Sequence, residues 1–438
     1  MQHQPTPSAK ALLPLVLFLL LFFGFGLYFS LQGDAMGFYH MRAPIAILPA
    51  IALALWLGYR AQKEALNTLL KGMGEPNIML MALIFLLAGA FASVSRQIGG
   101  VDAAVYLGLT FLPASFLLPG VFIVSSLISL AMGTSMGTIA AVAPIAIGFA
   151  QATDLNLALT VGAVVGGAMF GDNLSVISDT TIAATRTQGA QMSDKFKQNV
   201  WIALPAALLT VAILWWFSAG QSEVAPRAVS AWLALPYLVV LILAVAGMNV
   251  LAVLTIGIVC AGITGIIFTP QYSLVTLTED MWKGFEVMTE ITLLSILVGG
   301  LAALMRSQGG LTWLAKLITK VGGQNAGPRT GELGIAALSS LTNLFTANNT
   351  ISILISGPVA KDLADSHGIH PARSASILDI FSCVMQGLLP YGAQILLASS
   401  LSAASPLAIA ANVFYCWMLG VVALGFIATN KKRLPKEP

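Results

Sequence analysis

Charge is what this chain has least of. Only 9% of its 438 residues are Asp, Glu, Lys or Arg, against about 25% in an ordinary soluble protein. Hydrophobic residues make up 57% and the mean hydropathy is +0.87. A water-soluble chain of this length must cover itself with polar groups, so the shortage excludes a soluble globule and makes lipid the solvent for most of the chain. Cysteine is nearly as scarce. Cys260, Cys383 and Cys416 lie far apart inside apolar runs, which excludes a disulfide framework and CxxC metal spacing and leaves buried thiols. The four histidines, His3, His40, His367 and His370, fall in the tail and loops. With no HExxH pattern and no clustered histidine ligands, intramembrane metal hydrolysis is excluded as well. The net charge of +3 owes much to the tail Lys431-Lys432-Arg433. Without a basic face carrying aromatics there is nothing for nucleic acid to bind.

Long apolar stretches take the place of charge. The first runs from Ala11 to Leu31 without a charged residue. It is too long for the ~7–15-residue core of a signal peptide and long enough for the ~20 residues of a span, so it is read as an uncleaved first helix. Some thirteen further apolar runs follow, several of them short and bordered by Gly, Pro, Thr and Asn. Short or interrupted segments at matching places in two halves are the sequence mark of a transporter binding site.

The halves align by eye. Leu87 to Val101 matches Leu297 to Leu311, with Arg96-x-x-Gly99-Gly100 against Arg306-x-x-Gly309-Gly310. Thr134-Ser-Met-Gly-Thr138 pairs with Thr346-Ala-Asn-Asn-Thr350, and Gly171-Asp172-Asn173 falls opposite Gly387 to Gly392. The expected fold is an all-α polytopic membrane protein of about 10–12 transmembrane helices, in two repeats with re-entrant hairpins and interrupted helices. Residues 1–42 form the N-terminal tail and first helix. The first repeat covers 43–217, with a hairpin at 116–150 and a broken helix at 157–185. A linking loop and helix occupy 218–249. The second repeat covers 250–428, with a hairpin at 333–360 and a broken helix at 374–404, and 429–438 is a basic cytoplasmic tail.

Lys and Arg mark the cytoplasmic side. The basic loops 60–71, 186–197, 306–329 and 361–373 and the tail are placed inside, and 96–115 and 218–230 outside. The first hairpin then enters from outside and the second from inside, which makes the repeat inverted. The amphipathic stretches 101–113 and 310–321 suit helices lying in the interface.

The chemistry concentrates in Gly171-Asp172-Asn173-Leu174-Ser175-Val176-Ile177-Ser178-Asp179-Thr180-Thr181. A carboxylate at mid-bilayer costs at least about 2.5–3.5 kcal/mol, so it needs a partner, a proton or a bound cation. Asp172 and Asp179 are the candidate Na+ ligands. Asn173, Ser175, Ser178 and Thr180 supply neutral oxygens of the kind a hard cation takes. Asp379, alone in an apolar helix, is the third candidate for cation or proton binding. Gln386, Tyr391 and Gln394 flank the second break and could meet the polar groups of an organic substrate. Thr134, Ser135 and Thr138 at the first hairpin tip, with Thr346, Asn348, Asn349 and Thr350 at the second, could complete that site.

Residues 171–189 resemble the signature of the NhaC-type Na+/H+ antiporter family, and the likeness extends over about residues 40–428. The resemblance implies a multi-pass carrier of the bacterial inner membrane that exchanges Na+ for H+ by alternating access, with Asp172 and Asp179 at the ion site. Its partners would be the lipid bilayer, Na+ and H+, with no nucleic acid and no cofactor beyond the ions it moves, and homodimerisation is left open. The second half departs from the family's acidic pair, Gly-Thr and Pro-Trp-Asn. It reads Leu378-Asp379 to Gln394 instead and looks like members that carry amino acids. A Na+- or H+-coupled transporter of an amino acid or small organic acid is therefore the alternative.

Overall fold

The computed structural model describes residues 6–32, 41–61, 64–111, 113–153, 155–175, 178–218, 230–322 and 327–429. The tail at 430–438 and most of the 218–230 loop lie outside the described residues. The described chain is helical throughout. Its first half runs α1 (Leu13–Leu31), α2 (Ala43–Ala61), α3 (Ala65–Met73), α4 (Pro76–Gln97), α5 (Gly100–Phe111), α6 (Leu117–Met132), α7 (Ser135–Thr153), α8 (Leu157–Leu174), α9 (Asp179–Gln188) and α10 (Met192–Ser218). The second runs α11 (Leu235–Val245), α12 (Val250–Phe268), α13 (Leu274–Ser307), α14 (Gly310–Gly322), α15 (Pro328–Thr346), α16 (Asn349–Ser366), α17 (Pro371–Leu388), α18 (Ala393–Ser402), α19 (Pro406–Ala411) and α20 (Phe414–Thr429). Among the described residues seven segments are long and apolar enough to cross a membrane, and five shorter apolar helices accompany them. Two of the seven, Leu157–Gln188 and Pro371–Ser402, are the broken pairs α8–α9 and α17–α18.

Helix ends, rather than side chains, reveal the duplication. The caps Asn156, Gly133, Ser175, Ser178 and Gly189 of the first half have counterparts in His370, Ala347, Leu389, Gly392 and Ala403, each 214 residues later. Gly133 and Ala347 both turn the hairpin tip in the left-handed region, at φ 67° and 49°. The interior bonds repeat too: Ser129 Oγ donates to the carbonyl of Ala168 and Asn343 Nδ2 to that of Ser382, both at 2.6 Å. In this register Thr134 faces Asn348 rather than Thr346, and Asp172 matches Gln386. The hydroxyl-to-hydroxyl alignment of the tips is thus off by two residues, because helix termini, not residue type, set the turn.

Contacts between the halves are reciprocal. Helix α18 packs on α7 as α9 packs on α16, and α12 packs on α4 as α2 packs on α13. Reciprocity of this kind is what a twofold relation produces. Helix α13 settles its direction. The corner at Ile98–Gly100 lies against Leu233, Gly265 and Tyr272, at the N-terminal end of α13, whereas the corner at Gly309 follows its C-terminal end. Its 34 residues span about 51 Å, so the two corners, and the hairpins that follow them, stand on opposite sides of a bilayer. At one end of the bundle, Gly189 faces Lys361, and Gln188 donates to the carbonyl of Gly357. The basic turns after α9 and α16 therefore share one face, as positive-inside placement requires.

Two basic residues read as loop charges turn inward instead. Arg373, 8% exposed, forms a bidentate pair with Glu332 at 2.9 and 3.1 Å and lies over the Phe426 ring. Lys195, 1% exposed, points into the protein from the first turn of α10.

The two long helices α4 and α13 cross where Gly89 meets Gly284, backbone against backbone. A Cβ on Gly284 would overlap the carbonyl of Gly89. Overpacking of that kind costs about 1–3 kcal/mol, so Gly284→Val is expected to lower the unfolding temperature of the detergent-purified protein. Gly425→Ala, whose Cβ meets nothing within 4 Å, should leave it unchanged, and equal melts for the two variants would refute the contact.

Candidate functional site

Both hairpin tips and the first helix break end at one small cavity of about 70 Å³. Apolar residues of α4, Leu80, Met81 and Ile84, close one side of it, and Asn77 adds an amide. Apart from Gly133 and Met136 the remaining wall is polar: Thr134 and Ser135 from the first tip, Asn348, Asn349 and Thr350 from the second, Asp172, Ser178, Asp179 and Thr180 from the first break, and Gln394 from the second. One water needs roughly 10–15 Å³ of such volume, so the space holds a partly hydrated ion or a very small organic acid. It lies well below the ~300–1,000 Å³ of drug-sized ligand sites.

Asp172 is 4% exposed, in the last turn of α8. What brings it to the tip is the close crossing of α6 and α8: a Cβ on Gly171 would overlap Ser129. One carboxylate oxygen accepts the backbone N–H of Ser135 at 3.0 Å, the first residue of α7. The positive end of that helix thus faces the negative charge. Ser178 caps α9 and donates to the carbonyl of Asp172 at 3.1 Å, with the Thr180 hydroxyl 2.7 Å from its own. Asp179 follows, exposed at the cavity wall. At the second tip Asn348 caps α16 by accepting from Ile351 N at 2.9 Å.

A chain of amides joins the tips across the two halves. Gln386 Nε2 donates to the carbonyl of Ala347 at 3.1 Å and to Gln394 Oε1 at 2.7 Å. Gln394 Nε2 donates to Ser135 Oγ at 3.0 Å, and Ser135 N donates to Asp172. The string Gly133-Thr134-Ser135-Met136-Gly137 also spells the Gly-x-Ser-x-Gly of serine hydrolases, a motif that works on a strand-to-helix turn. Here Ser135 opens a helix and its hydroxyl accepts from an amide.

Other residues named from the sequence do not line this cavity. Asn173 turns the opposite way, donating to the Met169 carbonyl and to Tyr415. Ser175 donates to the Leu130 carbonyl, Thr138 to that of Thr134, and Tyr391 to that of Leu344. Thr346 bonds the Asn348 carbonyl and lines a separate pocket beside Arg306. Gln386 reaches the cavity only through Gln394. Asp379, fully buried, is held by Lys195 and Asn199 at 2.8 and 2.9 Å. Sequence reasoning passed over Lys195 and Asn199, although one signal was available. Lys195, Gln198, Asn199, Ile202, Ala203 and Ala206 share the buried stripe of α10 at helical spacing, so Lys195 lies on a core face and not in a loop.

The amide chain predicts energetic coupling between the halves. In a double-mutant cycle on thermal unfolding, Gln394→Leu and Ser135→Ala should couple by about 0.5–1.5 kcal/mol; additive effects would show that the bond contributes nothing.

Comparison with known proteins agrees with this architecture. The Na+/H+ antiporter family model matches residues 13–219 and 221–431, dividing where the helical repeat divides. The Na+/H+ antiporter NhaC of Bacillus subtilis is 29% identical over 385 residues, covering 81% of this chain and 84% of its own. The malate-2H+/Na+-lactate antiporter of the same organism is 24% identical over 376 residues, covering 78% and 79%. The arginine/ornithine antiporter ArcD of Halobacterium salinarum is 23% identical over 414 residues, covering 85% and 82%. With both halves matched by one family's model, this multi-pass membrane chain belongs to the Na+/H+ antiporter family.

Proposed function

We propose that the protein exchanges Na+ for H+ across the bacterial inner membrane by alternating access, with the cavity at Asp172 as the ion site. The observation that carries the proposal is the buried carboxylate of Asp172, facing a helix N-terminus and opening on hydroxyl and amide oxygens in a space of ion size. Carboxylate, hydroxyl and amide oxygens are the donor set of a hard monovalent cation. Asp179, Ser178, Thr180 and Thr134 are the groups that would share the ion with Asp172. A proton on the same carboxylate removes the charge that holds Na+, so the two ions exclude each other and exchange follows.

Movement would take place along the α4 wall. Leu80, Met81 and Ile84 face the cavity, and Met81 Sδ meets its polar side through a weak contact with Asn348 Nδ2 at 3.9 Å, so the hairpins and broken helices can shift against α4 and α13 while the site stays assembled. In this proposal the repeats 43–217 and 250–428 work as two related units, each preceded by a helix of its own, α1 and α11.

A second reading is coupled transport of a small organic acid or amino acid. The Gln386–Gln394 pair at the cavity edge supports it, as do relatives named for lactate and for arginine and ornithine. The volume favours the ion.

Everted vesicles from a strain lacking its own antiporters test both readings. Na+ alone should collapse an imposed pH gradient, and Asp172→Asn should abolish this while its melting temperature stays near wild type. Competition sets the sign of the pH effect: the apparent KM for Na+ should rise as pH falls, by up to about tenfold per unit on the acid side. Collapse that requires an added organic acid or amino acid would select the second reading. Normal exchange by the Asp172→Asn protein would remove the site.

A further inference from the structure

Apart from the cavity and the exposed Arg42–Glu290 pair, the described residues hold a buried charged cluster that joins the two halves, at the seam of α8, α10 and α17. Lys195 Nζ lies 2.8 Å from Asp379 Oδ2, 2.7 Å from Thr181 Oγ1 and 3.0 Å from the carbonyl of Asn173, which it caps at the break of α8. Asn199 Nδ2 donates to the same carbonyl at 2.7 Å and to the same carboxylate oxygen at 2.9 Å. All four side chains of Lys195, Asp379, Asn173 and Asn199 are at most 1% exposed. The positions matching Lys195 and Asp379 in the duplicated fold are Ile409 and Val165, so the cluster has no twin.

Two features set it apart from an ordinary ion pair. The ammonium is surrounded by a carboxylate, a hydroxyl and a helix-end carbonyl, the donor types that bind a bare monovalent cation at an interrupted helix. The cluster is also short of donors. Asp379 Oδ1, Asn173 Oδ1 and Asn199 Oδ1 are buried acceptors without a hydrogen-bond partner. Asp379 Oδ1 belongs to the carboxylate that meets the ammonium, and the two asparagines border it through the Asn173 carbonyl and Asn199 Nδ2, so the seam carries more acceptor oxygen than its lysine uses.

We propose that this seam is a second site for a monovalent alkali cation, occupied in this protein by the tethered ammonium of Lys195. The lysine supplies the charge that a diffusible ion would supply, and it ties the α8 break of one half to α17 of the other. Because this position is filled by the chain itself, the ion that moves is left to the cavity at Asp172. Na+ would then act with a Hill coefficient near 1.

Removal of the ammonium with Asp379 retained converts the seam into a site for a free cation. Purified Lys195→Ala should be less stable than wild type in choline chloride. NaCl, KCl or methylammonium chloride at the same ionic strength should raise its melting temperature by several degrees more than they raise that of wild type. The gain should persist in Lys195→Ala/Asp172→Asn, which separates it from the cavity, and vanish in Lys195→Ala/Asp379→Asn. An equal cation response in Lys195→Ala and wild type overturns the proposal, as does a gain that survives loss of Asp379. Lys195→Met/Asp379→Leu removes both charges and keeps the volume, so it serves as the folding control. Recovery of that double variant, with Lys195→Ala unrecoverable in all three salts, also overturns the proposal and leaves a plain ion pair.

Discussion

The backbone N–H of Ser135 and the carboxylate of Asp172 meet 3.0 Å apart, and the surrounding structure is arranged around what that contact joins. A helix that stops inside a bilayer leaves N–H and C=O groups that lipid cannot satisfy. This chain stops helices at four such places, two hairpin tips and two breaks. Each stop is answered by a neighbouring helix end or by α10. The positive start of α7 receives the charge at the end of α8, Ser178 covers the Asp172 carbonyl, and Gln386 covers that of Ala347. The Asn173 carbonyl is covered twice, by Lys195 and Asn199. An unanswered buried group costs about 1–3 kcal/mol, so the four ends depend on one another and on α10.

Duplication supplies the geometry and divergence supplies the chemistry. Five helix caps recur at a constant spacing, yet the charged positions do not. Asp172 has Gln386 opposite it, Asp379 has Val165, and Lys195 has Ile409. The second break therefore carries no carboxylate, and its amide reaches through Gln394 to the first half's hairpin tip. In the proposed exchange, a symmetric scaffold with an asymmetric site would give a single transported-ion position between two related units.

Much of this was legible residue by residue. The carboxylates in Gly171–Thr181 stood out because charge is so scarce, and the hairpin tips because Thr and Asn cluster there between apolar runs. What misled was counting. Lys195 and Arg373 lie within basic stretches, and a count of charges assigns both to water. Their helical phase puts them on buried faces, where Asp379 and Glu332 meet them. Hydroxyls misled in the other direction. Thr138 and Ser175 bond to backbone carbonyls, the common fate of such groups in helices.

Composition and order along the chain were enough to determine the solvent, the helical class, the duplication, the places where helices stop and which loops are basic. These are local quantities: the transfer energy of a run, the presence of a helix breaker, the charge of a loop. The tertiary structure alone decided which oxygens turn toward the cavity, that Asn173 turns away from it, and that Lys195 meets Asp379. Those outcomes depend on pairs about 40 to 260 positions apart in sequence and on the rotation of each helix about its axis. No window of sequence contains both partners, so only the packed fold brings them within 3 Å.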